Sequence, residues 1–303
     1  MTEFLLYLYA ESPVHAGAAD SLDMLDLPVQ REASTGYPVI WGQSLKGALR
    51  QAAKESGSWN GLVSGVFGSE PGDRTGDGGT TAGLLAVGDA QIVAMPVPTL
   101  RRTFAWVTSE IALGRLARKY KALGRRDALP VPDVAQDRGA APDGEWTKTP
   151  DEVLGPCVVR LGETVNEGLR NWAGLLAGDA ISGEEAFGPF AAKLRTDLLL
   201  AGSDIMPTLL RECTEQAVRV QLGDTKTVEN GPFYSEYLPA ETVLAASLTL
   251  RRPAGRGAAP EDHERHAEAL RVLLHGELLQ VGGDETLGKG LMWGRLIEEA
   301  GAG

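Results

Sequence analysis

Cysteine and long apolar runs are scarce in this sequence, and their scarcity excludes several classes of protein. Cys157 and Cys213 are its only cysteines, and they lack zinc-site spacing, so we expect two reduced thiols and no disulfide framework. No apolar run reaches about 18 residues, and the N-terminus has no basic segment. The sequence therefore predicts a cytoplasmic protein without a signal peptide or a membrane span.

Basic charge is also in the minority. The 29 lysines and arginines stand against 41 acidic residues, a formal net charge of −12, which argues against a nonspecific nucleic-acid binder. Residues 91–126 are an exception with Glu110 as their one acid, and their cations are Arg101, Arg102, Arg115, Arg118, Lys119, Lys121, Arg125 and Arg126. This basic stripe fits a channel for RNA or a solvated helix face equally well.

Apolar periodicity predicts the order strand, helix, strand, strand, helix, strand once insertions are set aside. Strands are predicted at 3–10, 84–93, 104–107, 242–251 and 291–297, and helices at 43–55, 109–123, 163–177, 183–201 and 263–280. Ser44 can cap the first helix. The order is that of the ferredoxin-like βαββαβ fold, an α+β class with helices on one face of an open sheet.

Two segments are predicted to be insertions into this order. Residues 211–238 alternate like a hairpin around a turn region rich in Gly, Asp and Asn, so we expect a projecting β-hairpin within an insertion at 207–241. Residues 124–151 are rich in Pro, Asp, Gly and Arg, which favours a flexible insertion.

The long loop over 11–38 carries groups that could do chemistry. Asp26 lies before Leu27-Pro28, and a loop carboxylate there could abstract a proton or orient a metal-bound water. An Asx turn explains Asp26 as well, and Asp20 and Asp23 compete with it on spacing. His15 could serve as acid, base or orienting donor, or could be structural.

The helix after this loop carries Lys46 and Arg50, which are four residues apart and share one helix face. Together with the helix N-terminus they could hold successive phosphates. A generic pair of surface cations is the competing interpretation.

A second glycine-rich loop, VGGDETLGKGLMWGRL, lies at 281–296. Glycines leave backbone N–H groups accessible and admit a closely approaching phosphate. The loop spells GxxxxGK, but Gly290 stands where a P-loop needs Ser or Thr for Mg²⁺, and a strand rather than a helix is predicted to follow. We therefore expect this loop to lie along an RNA backbone rather than to bind ATP.

Several motifs in order along the chain carry a family resemblance. They are HAG at 15–17, LPVQRE at 27–32, TGYPVIWGQSLKGALR at 35–50, TFAWVT at 103–108, TVENG at 227–231, EYLP at 236–239 and the terminal glycine loop. The sequence resembles the RAMP superfamily, the RNA-binding subunits of CRISPR effector complexes. Within it, the chain is most similar to the repeated backbone subunits of the type III-B (Cmr) complex.

The resemblance implies a single RAMP domain over 1–303, with an RRM-like palm and with the predicted hairpin as its thumb. It implies a subunit that polymerises along guide RNA with other Cmr subunits. Such a subunit is an endoribonuclease of antiviral defence. It cleaves single-stranded target RNA, once that RNA is paired with the guide RNA, at regular intervals. A non-catalytic guide-RNA-binding scaffold is the alternative, and a guide-processing ribonuclease of the same superfamily is a third candidate.

The resemblance also implies functional residues. The family's catalytic acid aligns with Asp26, His15 lies near the family's cleavage site, and Glu229 aligns with an acid tied to family activity. Cleavage in the family is metal-dependent, which implies Mg²⁺ or Mn²⁺ with unknown ligands. The candidate RNA-binding residues are Gln43, Ser44, Lys46, Arg50, Gly282, Gly283, Thr286, Gly288 and Lys289.

Overall fold

The computed structural model describes residues 1–17, 27–59, 61–69, 81–125, 129–181, 183–253 and 260–298. Its strands are β1 (Thr2–Ala10), β2 (Val39–Ile40), β3 (Leu85–Val87), β4 (Ala90–Thr99), β5 (Thr103–Thr108), β6 (Arg138–Ala140), β7 (Asp151–Leu154), β8 (Cys157–Leu161), β9 (Leu198–Ala201), β10 (Glu215–Leu222), β11 (Val228–Tyr237), β12 (Val243–Leu250), β13 (Leu278–Gln280) and β14 (Leu291–Glu298). Its helices are α1 (Gly42–Glu55), α2 (Val63–Phe67), α3 (Glu110–Ala122), α4 (Glu167–Asp179), α5 (Gly188–Asp197), α6 (Met206–Glu212) and α7 (Pro260–Leu274). No helix of these ranges is long and apolar enough to cross a bilayer.

Strand β1 is an interior strand of the main sheet, and the predicted α+β class is confirmed. It pairs antiparallel with β12 on one side and with β14 on the other, so that Leu6 lies between Ala246 and Leu296. Strand β4 follows β12, and the sheet continues through β5, β9, β6, β8 and β7. Four strands of the sheet are therefore ordered β14-β1-β12-β4.

Both faces of β1 are buried, which explains its nearly continuous apolar sequence. Phe4, Leu6 and Leu8 pack with residues of α1 and α7, whereas Tyr7 and Tyr9 pack with residues of α3 and α4. The prediction of helices on one face only is therefore wrong. Helices between β5 and β10 cover the second face, because an apolar sheet face needs a cover.

Helix α1 begins one residue before its predicted start, and its cap differs from the prediction. Trp41 occupies the N-cap position and makes no side-chain capping bond. The Gly42 N–H instead donates to the Asp89 carboxylate at 2.7 Å. Ser44 already lies inside the helix and is exposed, so the predicted Ser44 cap is wrong. The capping carboxylate comes from the β3–β4 turn, which no local pattern around α1 reveals.

The described part of the predicted flexible insertion, residues 129–151, is ordered structure. Strand β6 pairs with β8 and β9 there, and Trp146 is 1% exposed. The Trp146 indole N–H lies 3.0 Å from both the Thr196 carbonyl and the Asp197 carboxylate. The prediction of flexibility is wrong for these residues. Burial of the large Trp146 side chain helps to offset the free-energy cost of ordering a polar, Pro-rich segment.

Two predicted helices end earlier than expected. The 183–201 prediction ends in the buried strand β9, which pairs parallel with β5. The 263–280 prediction ends at Leu274, and β13 follows. His263 of α7 is 8% exposed, and its Nε2 lies 2.9 Å from the Thr2 hydroxyl. Short apolar runs such as LLLA do not distinguish a buried strand from a helix.

Strands β10 and β11 form a separate two-stranded antiparallel hairpin, with Gln216 opposite Glu236. The first seven residues of β11 are exposed and its last three are buried. The predicted start of the insertion at 207 lies inside α6, so the hairpin itself begins at Glu215. The connecting turn is shorter than expected because 228–231 belong to β11.

The arginines of the basic stripe are largely paired within the protein. Arg101 pairs with Glu152, Arg102 with Asp197 at 2.8 Å, Arg115 with Glu32 at 2.7 Å and Arg125 with Asp179 at 3.1 Å. Arg118 and Lys121 are exposed, and Arg126 lies outside the described residues. Neither an RNA channel nor a purely solvated face describes this stripe, because carboxylates from other segments neutralise much of it.

Glu241 generates a prediction about stability. Burial raises the pKa of its carboxyl to about 7, and no described residue hydrogen-bonds its Oε2. At a pH between the ordinary glutamate pKa and 7, the unfolded chain has released this proton, whereas the folded state still holds it. The free energy of unfolding therefore falls as pH rises toward 7. We expect Glu241→Gln to raise the melting temperature more at pH 8 than at pH 5. Equal shifts at both pH values in thermal unfolding would contradict this.

Candidate functional site

His15 lies just beyond the end of β1. Its neighbour Val14 pairs with Leu238, and His15 pairs with Gly283 of the C-terminal loop. The ring Nδ1 lies 2.8 Å from the Glu236 backbone carbonyl. A carbonyl only accepts, so Nδ1 carries the proton and Nε2 of the neutral ring is an acceptor.

The Nε2 atom of His15 makes no hydrogen bond with a residue that the structure describes. A Cβ placed on Gly17 would lie 2.7 Å from it. Glycine at position 17 therefore keeps the approach to Nε2 clear. The rest of the ring is held by packing, since the Tyr237 ring lies 5.5 Å away and His15 is 8% exposed. The arrangement suits a proton acceptor of fixed orientation.

A groove of about 850 Å³ runs between α1 and the C-terminal loop, with His15 in its wall. Helix α1 contributes Ser44 and Gln51 to this groove, and the loop contributes Gly282 and Gly283. The structure thus brings four of the predicted site residues together: His15, Ser44, Gly282 and Gly283.

Lys46 and Arg50 lie on a different flank of α1. Lys46 Nζ donates to the Leu85 carbonyl at 2.8 Å and lines a second cavity with Arg251. Burial lowers the pKa of Lys46, and the nearby charges of Arg50 and Arg251 lower it further. The two cations are neighbours, as predicted, but they do not line the His15 groove. Gln43 is exposed on α1.

The C-terminal loop uses several of its own N–H groups. Gly283 N–H donates to the His15 carbonyl at 2.9 Å, Gly288 N–H to Glu285 at 2.8 Å and Gly290 N–H to Pro13 at 2.9 Å. The expectation that these three N–H groups are open to phosphate is therefore wrong. Thr286 is exposed in a single 3₁₀ turn, and β14 rather than a helix follows the GxxxxGK sequence, as predicted.

Asp284 ties this loop to the hairpin, a contact that the sequence did not reveal. Its two oxygens each accept from Arg219 at 2.9 Å, and Tyr237 donates to Oδ2 at 2.7 Å. Burial alone would raise the pKa of Asp284, but the hydrogen bonds from Arg219 and Tyr237 lower it below its ordinary value. Lys289 Nζ lies 5.2 Å above the Tyr237 ring. The root of the hairpin is thus part of the site.

Glu229 is not brought to this site. It is exposed near the turn of the hairpin, seven residues along β11 from Glu236. At about 3.4 Å per residue this is a separation of roughly 24 Å.

Asp26 lies outside the described residues, as do Asp20 and Asp23. On either side of that segment, Gly17 pairs with Val29, and the Leu27 N–H donates to the Tyr234 carbonyl at 3.1 Å. Gly17 and Leu27, the described residues on either side of that segment, thus lie near His15 and near the hairpin strand β11, respectively. Among the residues that the structure describes, no three His, Cys, Asp or Glu side chains come together to hold a metal ion.

The fold and the site are those of an α+β protein with a groove lined by a histidine, one flank of a helix and a glycine-rich loop. The chain belongs to the RAMP superfamily, whose family model matches residues 7–293. It is 33% identical over 297 residues to the CRISPR system Cmr endoribonuclease Cmr4 of Pyrococcus furiosus, covering 96% of this chain and 95% of that protein.

Solved structures agree with this membership. Oligomeric Cmr4 from Pyrococcus furiosus superposes with a TM-score of 0.73 at 26% identity, covering 98% of both chains. A chain of the type III-B Cmr-beta complex bound to cognate target RNA has a TM-score of 0.71 at 19% identity, covering 98% of this chain and 97% of that one. At that identity the second likeness supports the fold alone.

Gly282 and Gly283 form a matched pair for testing the groove. Gly282 has φ 95°, and a Cβ on it would lie 2.5 Å from the His15 carbonyl oxygen, whereas a Cβ on Gly283 would lie 3.6 Å from the nearest ring atom. We expect Gly282→Ala to lower the free energy of unfolding by about 1–3 kcal/mol. Gly283→Ala should change it by less than about 0.5 kcal/mol. Denaturant unfolding measures both, and equal effects would contradict the assigned backbone contact.

Proposed function

We propose that this chain is a backbone subunit of a type III-B CRISPR ribonucleoprotein and an endoribonuclease that cleaves target RNA. The observation that carries the proposal is the 33% identity, over nearly the full length of both chains, to the Cmr4 endoribonuclease. The likeness to an oligomeric Cmr4 supports assembly with further copies of itself. Guide RNA, other Cmr subunits and a cytoplasmic location complete the proposal.

The finer fold assignment belongs to the same proposal. Strands β1, β4, β12 and β14, with α1 and α7, would form the RRM-like palm, and β10–β11 would form the thumb. The β14-β1-β12-β4 strand order supports this assignment.

The proposed chemistry is attack of an RNA 2′-hydroxyl on its own phosphodiester. The new bond closes a 2′,3′-cyclic phosphate, the bond to the 5′-oxygen of the next nucleotide breaks, and that oxygen takes up a proton as it leaves. This reaction needs a base, in-line placement and neutralisation of charge on the phosphate. His15 Nε2 supplies an oriented proton acceptor. Asp26 is proposed as a second catalytic residue, because the family's catalytic acidic residue aligns with it. The polar groove along Ser44 and Gln51 leaves room for a ribose and phosphates next to Nε2.

The remaining predicted residues enter with separate roles. Lys46 and Arg50 are proposed to hold guide-RNA phosphates on the other flank of α1, with Gln43 nearby. Thr286, Gly288 and Lys289 are proposed to contact RNA from the C-terminal loop. Glu229, far from His15 in its own chain, stays a prediction from the resemblance.

A divalent metal, Mg²⁺ or Mn²⁺, also stays a prediction from the resemblance. The described residues do not supply a cage for it, since no three suitable side chains converge among them.

Asp26→Ala in the purified, assembled complex tests the function. We expect small RNA to co-purify, the wild-type complex to cleave target RNA, and the variant to lose about 10²–10⁴-fold in cleavage rate with unchanged assembly. Asp23→Ala, in the same segment, is the matched control and should keep its rate. A complex that binds target RNA without cleaving it would favour the non-catalytic scaffold.

His15→Asn tests the proposed base. The asparagine amide can donate to the Glu236 carbonyl as Nδ1 does, but it has no acceptor at the position of Nε2. We expect a loss of about 10²-fold or more in the single-turnover cleavage rate, with target binding retained. His15→Gln, which lacks the donor at the Nδ1 position, provides the comparison. Full activity of His15→Asn would reduce the role of His15 to structure alone.

A further inference from the structure

Glu236 begins the EYLP sequence, which the proposed function leaves without a role. It is 3% exposed and does not line the groove. We propose that Glu236 is a positioning residue that holds the His15 ring and the segment following Asp26 in one arrangement. The inference rests on the proposed function, since it assigns Glu236 to the same cleavage site.

The backbone of Glu236 contacts both sides of the site. Its carbonyl accepts from His15 Nδ1 at 2.8 Å and so selects the tautomer that leaves Nε2 as acceptor. Its N–H donates to the carbonyl of Leu27 at 2.9 Å, and Leu27 directly follows Asp26 in the sequence. The Glu236 backbone thus joins His15 to Leu27, the residue that follows Asp26 in the sequence.

The side chain of Glu236 strengthens the second contact. Its Oε2 accepts from the Val29 N–H at 2.9 Å, and its Oε1 accepts from Arg31 at 2.6 Å and from the Thr214 hydroxyl at 2.8 Å. The Arg31 guanidinium also donates to the Leu210 carbonyl at 3.2 Å. The carboxylate therefore fixes residues 29–31 against α6 and the hairpin root.

Two partners of this carboxylate, the Val29 N–H on Oε2 and the Arg31 guanidinium on Oε1, can only donate. An amide in its place would direct its own N–H₂ group at Val29, or at Arg31 and Thr214, so one side of the contact would have to move. Glu236→Gln therefore changes the arrangement while preserving volume. The hydrogen bond from His15 to the backbone carbonyl of residue 236 is retained in this variant. The effect should therefore fall on residues 29–31, which follow Asp26 in the sequence.

Glu152 provides a matched control. It is also 3% exposed, and its carboxylate pairs with Arg101 and accepts from the Val153 N–H at 3.1 Å. It lies on β7, whereas Glu236 lies at the end of β11. Glu152→Gln thus perturbs a buried ion pair of similar make-up away from the His15 groove.

The test compares single-turnover cleavage and target-RNA affinity in assembled complexes that carry Glu236→Gln, Glu152→Gln or the wild-type subunit. We expect Glu236→Gln to lower the cleavage rate about 10- to 100-fold with little change in Kd, and Glu152→Gln to leave both unchanged. Hydrogen exchange should rise over 27–31 in Glu236→Gln and not in Glu152→Gln. If Glu236→Gln does not assemble, Arg31→Lys replaces it, with the same rate and exchange changes expected at smaller size.

Three outcomes would overturn the inference. The first is a wild-type rate in Glu236→Gln, or in Arg31→Lys where that variant replaces it. The second is an equal loss of rate in Glu152→Gln, and the third is a loss explained entirely by weaker RNA binding. In each case the wild-type complex still cleaves, so the proposed function stands. A wild-type complex that does not cleave would instead overturn the proposed function and this inference together.

Discussion

The antiparallel pairing of β1 with both β12 and β14 is the constraint on which the site depends. The C-terminal end of β1 lies beside the first residues of β12 and of β14, with Tyr9 opposite Val243 and Trp293. The segment after β1, the segment before β12 and the segment before β14 therefore meet at one edge of the sheet. Those segments carry His15, Glu236 with Tyr237, and the C-terminal glycine loop. Residues more than 200 positions apart in the sequence become neighbours because of two strand pairings.

Charges around this edge are mostly used within the protein. Asp284 binds Arg219, Glu236 binds Arg31, and Glu32 binds Arg115. These pairs hold the hairpin, the loop after Asp26 and α3 in place around the groove. The groove itself is lined by an imidazole, by hydroxyl and amide side chains, by backbone, and by Glu55 and Glu285. In a chain of net charge −12, ion pairs thus neutralise three acids beside the groove, whereas a polyanionic ligand would also meet Glu55 and Glu285 in its lining.

Helix α1 shows how far local sequence reasoning reaches. Leu45, Leu49 and Ala53 recur at helical spacing and are all buried, so the helix and its buried face were predictable. Its N-terminal cap was not predictable, because the capping residue Asp89 lies in the β3–β4 turn, far from α1 in the sequence. The division of its polar residues was not predictable either. Ser44 and Lys46 are close in sequence, yet one lines the His15 groove and the other the cavity with Arg251.

The sequence by itself determined the α+β class, the buried apolar first strand, the hairpin and the family, because these depend on periodicity and on motifs within single segments. It also marked His15, Ser44, Gly282 and Gly283, which the fold brings together. Only the tertiary structure decided which groups Asp284, Glu236 and the basic stripe contact. The physical reason is that hydrogen bonds and ion pairs between distant segments depend on strand order and register. Short sequence patterns carry no information about those partners.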